Sequence, residues 1–311
     1  MPTLEVHVVA LPMRVPFRGV TTREAVLLKG FRGWGEFAPF VEYDDEEAAR
    51  WLAAALEAAD GSWPDPVRVS IPVNATVPAV AAADVAGVLA RFPGCTTAKV
   101  KVAQAGQSLR DDVDRVAAVR ELVPNVRVDA NAAWSVDEAV TALQALGQLE
   151  YAEQPCATVP ELAEVRRRVD VRIAADESIR RASDPLLVAR AGAADVVVLK
   201  VAPLGGVRAA LRVAEDCGLP VVVSSALDTS IGIRAGVALA AALPELPFAC
   251  GLATTSLMAA DVVTDSLDGH GGSLPVRDVV PSYELLERWA APEDRQRWWR
   301  DRLARVLELL P

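Results

Sequence analysis

The sequence predicts a (β/α) barrel of eight strands with an N-terminal α+β capping domain, completed by a C-terminal helical segment. Three observations predict it. From about residue 67, short β-branched segments alternate with amphipathic ones, which implies parallel strands joined by right-handed crossovers. The residues before that follow a different, antiparallel pattern. One ionisable residue then recurs at the ends of successive predicted strands, where a barrel gathers its active site. The 311 residues, 52% of them apolar, exceed the about 250 that one barrel uses. They divide into a capping unit over 1–66, which takes in part of 280–311, and a catalytic barrel over 67–280.

In the capping unit, Leu4-Glu5-Val6-His7-Val8 alternates as a half-buried strand does. Residues 24–29 are a second strand candidate, and Gly30-Phe31-Arg32-Gly33 turns the chain into a third, Trp34-Gly35-Glu36-Phe37. Asp44-Asp45-Glu46-Glu47 opens a helix through Trp51 to Ala58, its acidic residues facing the positive end of the helix dipole. Residues 14–23 read as a polar loop, expected to close over a substrate and exclude water.

Barrel strands are expected at 67–73, 97–102, 126–130, 151–154, 171–175, 196–201, 220–224 and 248–252. Helices fall between them, among them 110–122, 136–146, 207–216 and 231–243. A doubly wound open sheet has the same rhythm but carries a glycine-rich phosphate turn after its first strand. Here Asn74-Ala75-Thr76-Val77-Pro78 stands in that place. Residues 283–310 read as helical, with Trp289, Trp298 and Trp299 covering apolar surface against the cap.

Composition narrows the function. A net charge of −10 argues against nucleic acid as a partner. It leaves an acidic small molecule open, because a metal and lysines can reverse the charge locally. Cys95, Cys156, Cys217 and Cys250 are widely spaced with no C-x-x-C pair, so neither a zinc site nor a disulfide framework is expected. Met1-Pro2-Thr3-Leu4-Glu5 lacks the start of a signal peptide. The most apolar helical run, 236–243, stops at Pro244, short of the about 20 apolar residues a membrane span needs. A cytoplasmic protein without a membrane partner is expected.

The chemistry lies at the strand ends. Lys99-Val100-Lys101 ends the second barrel strand, Asp129 the third, Glu153 the fourth, Asp176 the fifth and Lys200 the sixth. From Lys101 to Lys200 the steps are 28, 24, 23 and 24 positions, one per βα unit. Residues in that phase ring a single mouth. Each follows apolar strand residues and starts partly buried, where an unpaired charge costs several kcal/mol or changes its protonation. Three neighbouring carboxylates repel one another and raise their pKa values. A hard divalent cation resolves the conflict, and oxygen ligands without histidine suit Mg²⁺ or Mn²⁺. The only histidines, His7 and His270, fall outside the ring. A lysine at each end of the arc places an amine on either side of the cation, and a desolvated lysine beside a cation can act as a base. Such a layout suits removal of a proton α to a metal-bound carboxylate, with the charge stabilised where it develops.

These motifs (Lys99-x-Lys101, Asp129-x-Asn131, Glu153-Gln154-Pro155, Asp176-Glu177-Ser178 and Lys200) occur in an order that resembles the enolase superfamily, in its muconate-lactonising subgroup, nearly end to end. A lysine base working with Mg²⁺ on an enediolate is an established pairing there. Gly33-Trp34-Gly35-Glu36-Phe37-Ala38-Pro39 and Ser224-Ser225-Ala226-Leu227-Asp228-Thr229-Ser230-Ile231-Gly232 are most similar to its o-succinylbenzoate synthase family of menaquinone biosynthesis. That resemblance implies a hydro-lyase that dehydrates 2-succinyl-6-hydroxy-2,4-cyclohexadiene-1-carboxylate to 2-succinylbenzoate. It implies Lys101 as base and then acid, Lys200 as the cation on the opposite face, and Asp129, Glu153 and Asp176 as Mg²⁺ ligands. Lys99, Asn131, Ser224, Ser225, Gly251 and Leu252 would bind the substrate, and Asp228 would orient Lys200 or cap a helix. An N-acylamino acid racemase or a muconate cycloisomerase would share the machinery. A dipeptide epimerase would carry an acidic pair where Cys250-Gly251-Leu252-Ala253 stands. A barrel that only binds an acidic metabolite would need no base on either face. Gly269-His270-Gly271-Gly272 lacks the Lys-Ser/Thr of a phosphate loop and reads as an ordinary loop.

Overall fold

Alternation at the N-terminus pairs into an antiparallel sheet of β1 (Glu5–Phe17), β2 (Val20–Lys29) and β3 (Trp34–Phe37), in that order. The computed structural model describes residues 5–17, 19–61, 63–180 and 184–310. Leu4, at the start of the first predicted strand, and Arg18 lie outside them. The polar loop expected at 14–23 is a hairpin tip instead. β1 continues to Phe17, which pairs with Val20 after a register shift beyond Pro12. Val15, Phe17 and Val20 favour extended backbone, and Gly19 supplies a turn at φ +77°. Helix α1 (Asp45–Asp60) is capped by Asp44, whose side chain accepts from the Glu47 amide, and ends at the left-handed Gly61. It lies flat on β3 because Gly35 lacks a side chain: a Cβ there would stand 1.8 Å from the Ala55 carbonyl oxygen.

The barrel begins later than its sequence suggests. β4 (Ser70–Pro72) leaves the parallel sheet and pairs antiparallel with residues 273–275, consistent with the exclusion of proline from central strands. β5 (Ala75–Val77), β6 (Thr97–Lys101), β7 (Asn125–Asp129), β8 (Ala152–Glu153), β9 (Ile173–Ala175), β10 (Val196–Leu199) and β11 (Val221–Val223) follow one another in a parallel sheet. The eighth strand, expected at 248–252, is reduced to bridges from Cys250 to Val73 and from Gly251 to Ser224, which close the ring.

Helices α2 (Val85–Leu89), α3 (Leu109–Arg120), α4 (Val136–Leu146), α5 (Val159–Arg168), α6 (Glu177–Arg180), α7 (Leu187–Arg190), α8 (Val201–Leu204), α9 (Val207–Cys217) and α10 (Ser230–Ala242) lie between the strands. Capping boxes built on Ser108, Ser135 and Thr158 start α3, α4 and α5. The C-terminal segment is two helices, α11 (Tyr283–Arg288) and α12 (Glu293–Leu307), separated at Pro292, which cannot continue a helix.

These last helices complete the cap. The Ala10 amide donates to the Trp289 carbonyl and the Ala291 amide to that of Val8, both at 2.9 Å. Trp299 is fully buried, meets Phe37 edge-on at 6.0 Å and donates to Glu24 at 2.7 Å. Cap and barrel are joined by glutamate side chains at helix N-termini, where free amides donate to a carboxyl oxygen. Glu57 takes the amides of Val207 and Arg208 at α9. Glu36 takes the Thr229 amide and hydroxyl and the Gly232 amide at α10. All four cysteines are free thiols, and among the described residues no helix is long and apolar enough to cross a membrane.

Candidate active site

Strand ends β6 to β10 deliver the predicted ions to one mouth because each strand is in register with the next: Lys101 lies beside Asp129, and Asp129 beside Glu153. Strain gathers at the same rim. Ala103, Asn131, Ala132, Gln154 and Leu227 have positive φ, and all follow barrel strands. Such backbone costs about 1–3 kcal/mol per residue and collects at functional sites.

Every ring carboxylate is buried and paired. Lys101 Nζ donates to Asp129 Oδ2 at 2.5 Å and to Asn131 Oδ1 at 2.6 Å. Lys99 Nζ bridges both oxygens of Glu153, at 2.7 and 2.8 Å. Lys200 Nζ donates to Asp176 Oδ2 at 2.6 Å. Burial pushes the Lys101 amine below the usual lysine range against the pull of Asp129, with Lys99 adding to the depression. Glu153 sits between the other two acids; burial and repulsion by Asp129 push its carboxyl up to about 7, with Lys99 opposing. Burial alone would raise Asp129 and Asp176 too. Lys101 and Lys99 overcome it at Asp129, and Lys200 and Arg180 at Asp176, so both acids are held below their ordinary range.

The cavity over this ring is lined by Lys99, Lys101, Asp129, Asn131 and Lys200 and, from the seventh and eighth strands, by Ser224, Ser225 and Gly251. Ser225 Oγ donates to the Gly251 carbonyl at 2.9 Å and shares a 2.7 Å hydrogen bond with Thr254. Leu252 does not line this cavity; its side chain packs over Gly236. Asp228 is neither an N-cap nor a hydrogen-bond partner of Lys200. It accepts from the Ala226 amide, while Thr229 caps α10.

Four contributors were not singled out in the sequence. Phe17, at the hairpin tip, places its ring 5.3 Å from Lys101 Nζ. Arg180 on α6 donates to Asp176 at 3.1 Å and to Glu177 at 2.6 Å. Its third partner is the Tyr43 hydroxyl, in the cap. Glu177 belongs to a quoted motif, but its contacts to Arg180 and Asn131 carried no sequence signal. Tyr43 lies in a segment whose approach to the barrel only the tertiary fold sets, whereas Phe17 belongs to the 14–23 segment expected to close over a substrate and does line the cavity.

Among the described residues, no three acidic, cysteine or histidine side chains cluster as a ready-made metal site. The donor chemistry nonetheless fits a hard cation. The ring offers carboxylate oxygens alone, its middle acid is raised by burial and repulsion, and the buried Oε2 of neighbouring Glu177 has no hydrogen-bond partner among the described residues.

The chain matches two family models, one described as Enolase N-terminal domain-like over residues 8–59 and one as Enolase C-terminal domain-like over 81–281. It is 59% identical over 307 residues to the o-succinylbenzoate synthase of Mycobacterium marinum, covering 98% of this chain and 94% of that one. To the o-succinylbenzoate synthase of Mycobacterium leprae it is 60% identical, covering 98% and 92%. In structure it is similar to the muconate lactonizing enzyme of Pseudomonas fluorescens complexed with muconolactone, at a TM-score of 0.81 and 22% identity over 93% of this chain and 98% of that one. The L-Ala-D/L-Glu epimerase of Bacillus subtilis is similar at a TM-score of 0.75 and 24% identity, over 90% and 96%.

Proposed function

Because the chain belongs to the enolase superfamily, we propose that it is an o-succinylbenzoate synthase, a lyase that dehydrates 2-succinyl-6-hydroxy-2,4-cyclohexadiene-1-carboxylate to 2-succinylbenzoate in menaquinone biosynthesis. The near full-length likeness to synthases of that name supports the substrate. One observation carries the chemistry: Lys101 and Lys200 stand at the two ends of the carboxylate arc, each on an outer acid.

Asp129, Glu153 and Asp176 would hold Mg²⁺, the cation typical of this superfamily. When bound, it supplies a Lewis acid for the substrate carboxylate. Lys101 removes the α-proton, a role suited by its depressed pKa. Charge spreads onto the carboxylate oxygens, where the Lys200 ammonium stabilises it from the opposite face. The ring C–O bond then breaks, and Lys101 returns the proton to the departing hydroxyl, so that water leaves and the ring becomes aromatic. Asn131 accepts a hydrogen bond from Lys101 and so holds the amine toward the substrate. Lys99 keeps Glu153 in place. Ser224 and Ser225 offer hydroxyls to the substrate's second carboxylate, and Gly251 lines the cavity beside them. The proposed units divide the work: the barrel, 67–280, carries the chemistry, and 1–66 with part of 280–311 covers it.

The test is an assay of the purified protein with the cyclohexadiene substrate and Mg²⁺, run beside N-succinyl amino acids. 2-Succinylbenzoate should form, and Lys101→Ala should lower turnover by about 10²–10⁴-fold while Mg²⁺ still binds. Racemisation of the amino acids without dehydration would replace the substrate assignment. Turnover retained by the variant would remove Lys101 as the base.

A further inference from the structure

Arg180 is a buried hub that touches neither lysine yet reaches both. It is 4% exposed, and three of its nitrogens are committed to three different partners. Nε donates to Asp176 Oδ1 at 3.1 Å, and the other oxygen of Asp176 holds Lys200 Nζ at 2.6 Å. Nη2 donates to Glu177 Oε1 at 2.6 Å. That same oxygen accepts from Asn131 Nδ2 at 3.3 Å, and Asn131 Oδ1 accepts from Lys101 Nζ at 2.6 Å. Nη1 donates to the Tyr43 hydroxyl at 3.1 Å. The guanidinium is planar, so fixing any two of these contacts fixes the third.

Tyr43 is held from the cap side. Its ring meets Phe40 at 5.5 Å and Trp51 at 6.1 Å. Its carbonyl accepts from Arg302 of α12 at 2.5 Å, and the Phe40 carbonyl accepts from the same guanidinium at 3.2 Å. Hydrogen bonds, joined through the body of Tyr43 itself, thus connect the C-terminal helix through the cap to both lysines.

We propose that Tyr43 and Arg180 form a strut by which the seated cap orients the acid–base lysine and its electrostatic partner together. Arg180 is a positioning residue, and Tyr43 is the group that sets it. The inference rests on the proposed lyase reading for its kinetic arm, but its binding arm does not.

Tyr43→Phe removes only the hydroxyl and keeps the ring packing. Arg180→Lys keeps the charge but cannot span three partners. Tyr43→Phe should lower kcat about tenfold with the substrate KM within about twofold, and Arg180→Lys should lower it about 100-fold, the range seen when the support of a metal ligand is lost. The double variant should be no slower than Arg180→Lys alone, since both changes cut one line. In calorimetric titration with Mg²⁺ alone, Arg180→Lys should bind about tenfold more weakly, and Tyr43→Phe should shift affinity in the same direction. Multiplied losses in the double variant, or Tyr43→Phe indistinguishable from the parent in both kcat and Mg²⁺ affinity, would overturn the strut. If the parent protein fails to dehydrate the cyclohexadiene, the lyase reading falls while the Mg²⁺ titrations still decide this one. If Arg180→Lys does not fold, Tyr43→Phe decides by the same two measurements.

Discussion

Arg115 shows how much of the site is held from behind. It is 1% exposed and donates to the Lys101 carbonyl at 2.9 Å, to the Val80 carbonyl at 2.5 Å and to Asp112 at 2.8 Å. Asp112, itself 3% exposed, turns its other oxygen to the Ala103 amide, just past the strand that carries Lys101. Arg115→Ala should cost about 3–5 kcal/mol, because it strands a buried carboxylate. Urea denaturation checks this, and a loss under about 1 kcal/mol would mean that water reaches Asp112. Adding Asp112→Asn should recover part of the loss. The five ring residues were legible in the sequence because a strand end preceded by apolar residues is a costly place for a charge, and the cost recurred in phase. Arg180 and Arg115 were not. An arginine on a helix reads as a solvated face, and the described part of α6, Glu177–Arg180, is too short to show a period. Leu252 shows the opposite error: it stands beside Gly251 in sequence, but its side chain packs over Gly236 and not into the cavity.

At the scale of elements, glutamate side chains at helix N-termini join cap to barrel, and Glu36 makes one of those joints titratable. Burial and repulsion by Asp228 push its carboxyl up to about 8, against the Thr229 hydrogen bonds and Arg23. An unfolded glutamate titrates near 4.5. Across that window the folded chain keeps a proton that the unfolded chain has released. Stability from this group is therefore complete below about 4.5 and declines as pH rises to about 8, by up to about 1.4 kcal/mol per pH unit. Glu36→Gln should flatten that decline, so denaturation midpoints from pH 5 to 9 should diverge from the parent on the alkaline side. Parallel curves would show that Glu36 does not carry the proton. Boundaries were legible where local chemistry marks them: α4 starts and ends at the predicted 136 and 146, between the Ser135 capping box and Gly147. They were not legible where tertiary pairing decides. The eighth strand has two bridging residues, and β4 is drawn off by a partner some 200 positions away.

For the molecule as a whole, the C-terminal helices are the outer wall of the cap. Trp299 fills the space behind Phe37 and ties to Glu24, which also takes two hydrogen bonds from Arg295. Trp299→Ala should cost about 3–5 kcal/mol as a large buried side chain lost, read from denaturant midpoints at neutral pH. A change below about 1 kcal/mol would mean that α12 merely rests on the sheet. The tryptophans signalled apolar cover in the sequence; what they covered depended on residues nearly the whole chain away. That separation has a consequence for the protein's birth. At about 5–20 residues per second, Trp299 leaves the ribosome some 12–50 seconds after α1 is complete. Through that interval the nascent sheet presents Phe37 and its neighbours to the cell uncovered. The lid over the catalytic mouth is thus begun before the barrel and closed only after it, so its sheet stays open for as long as the barrel is being made.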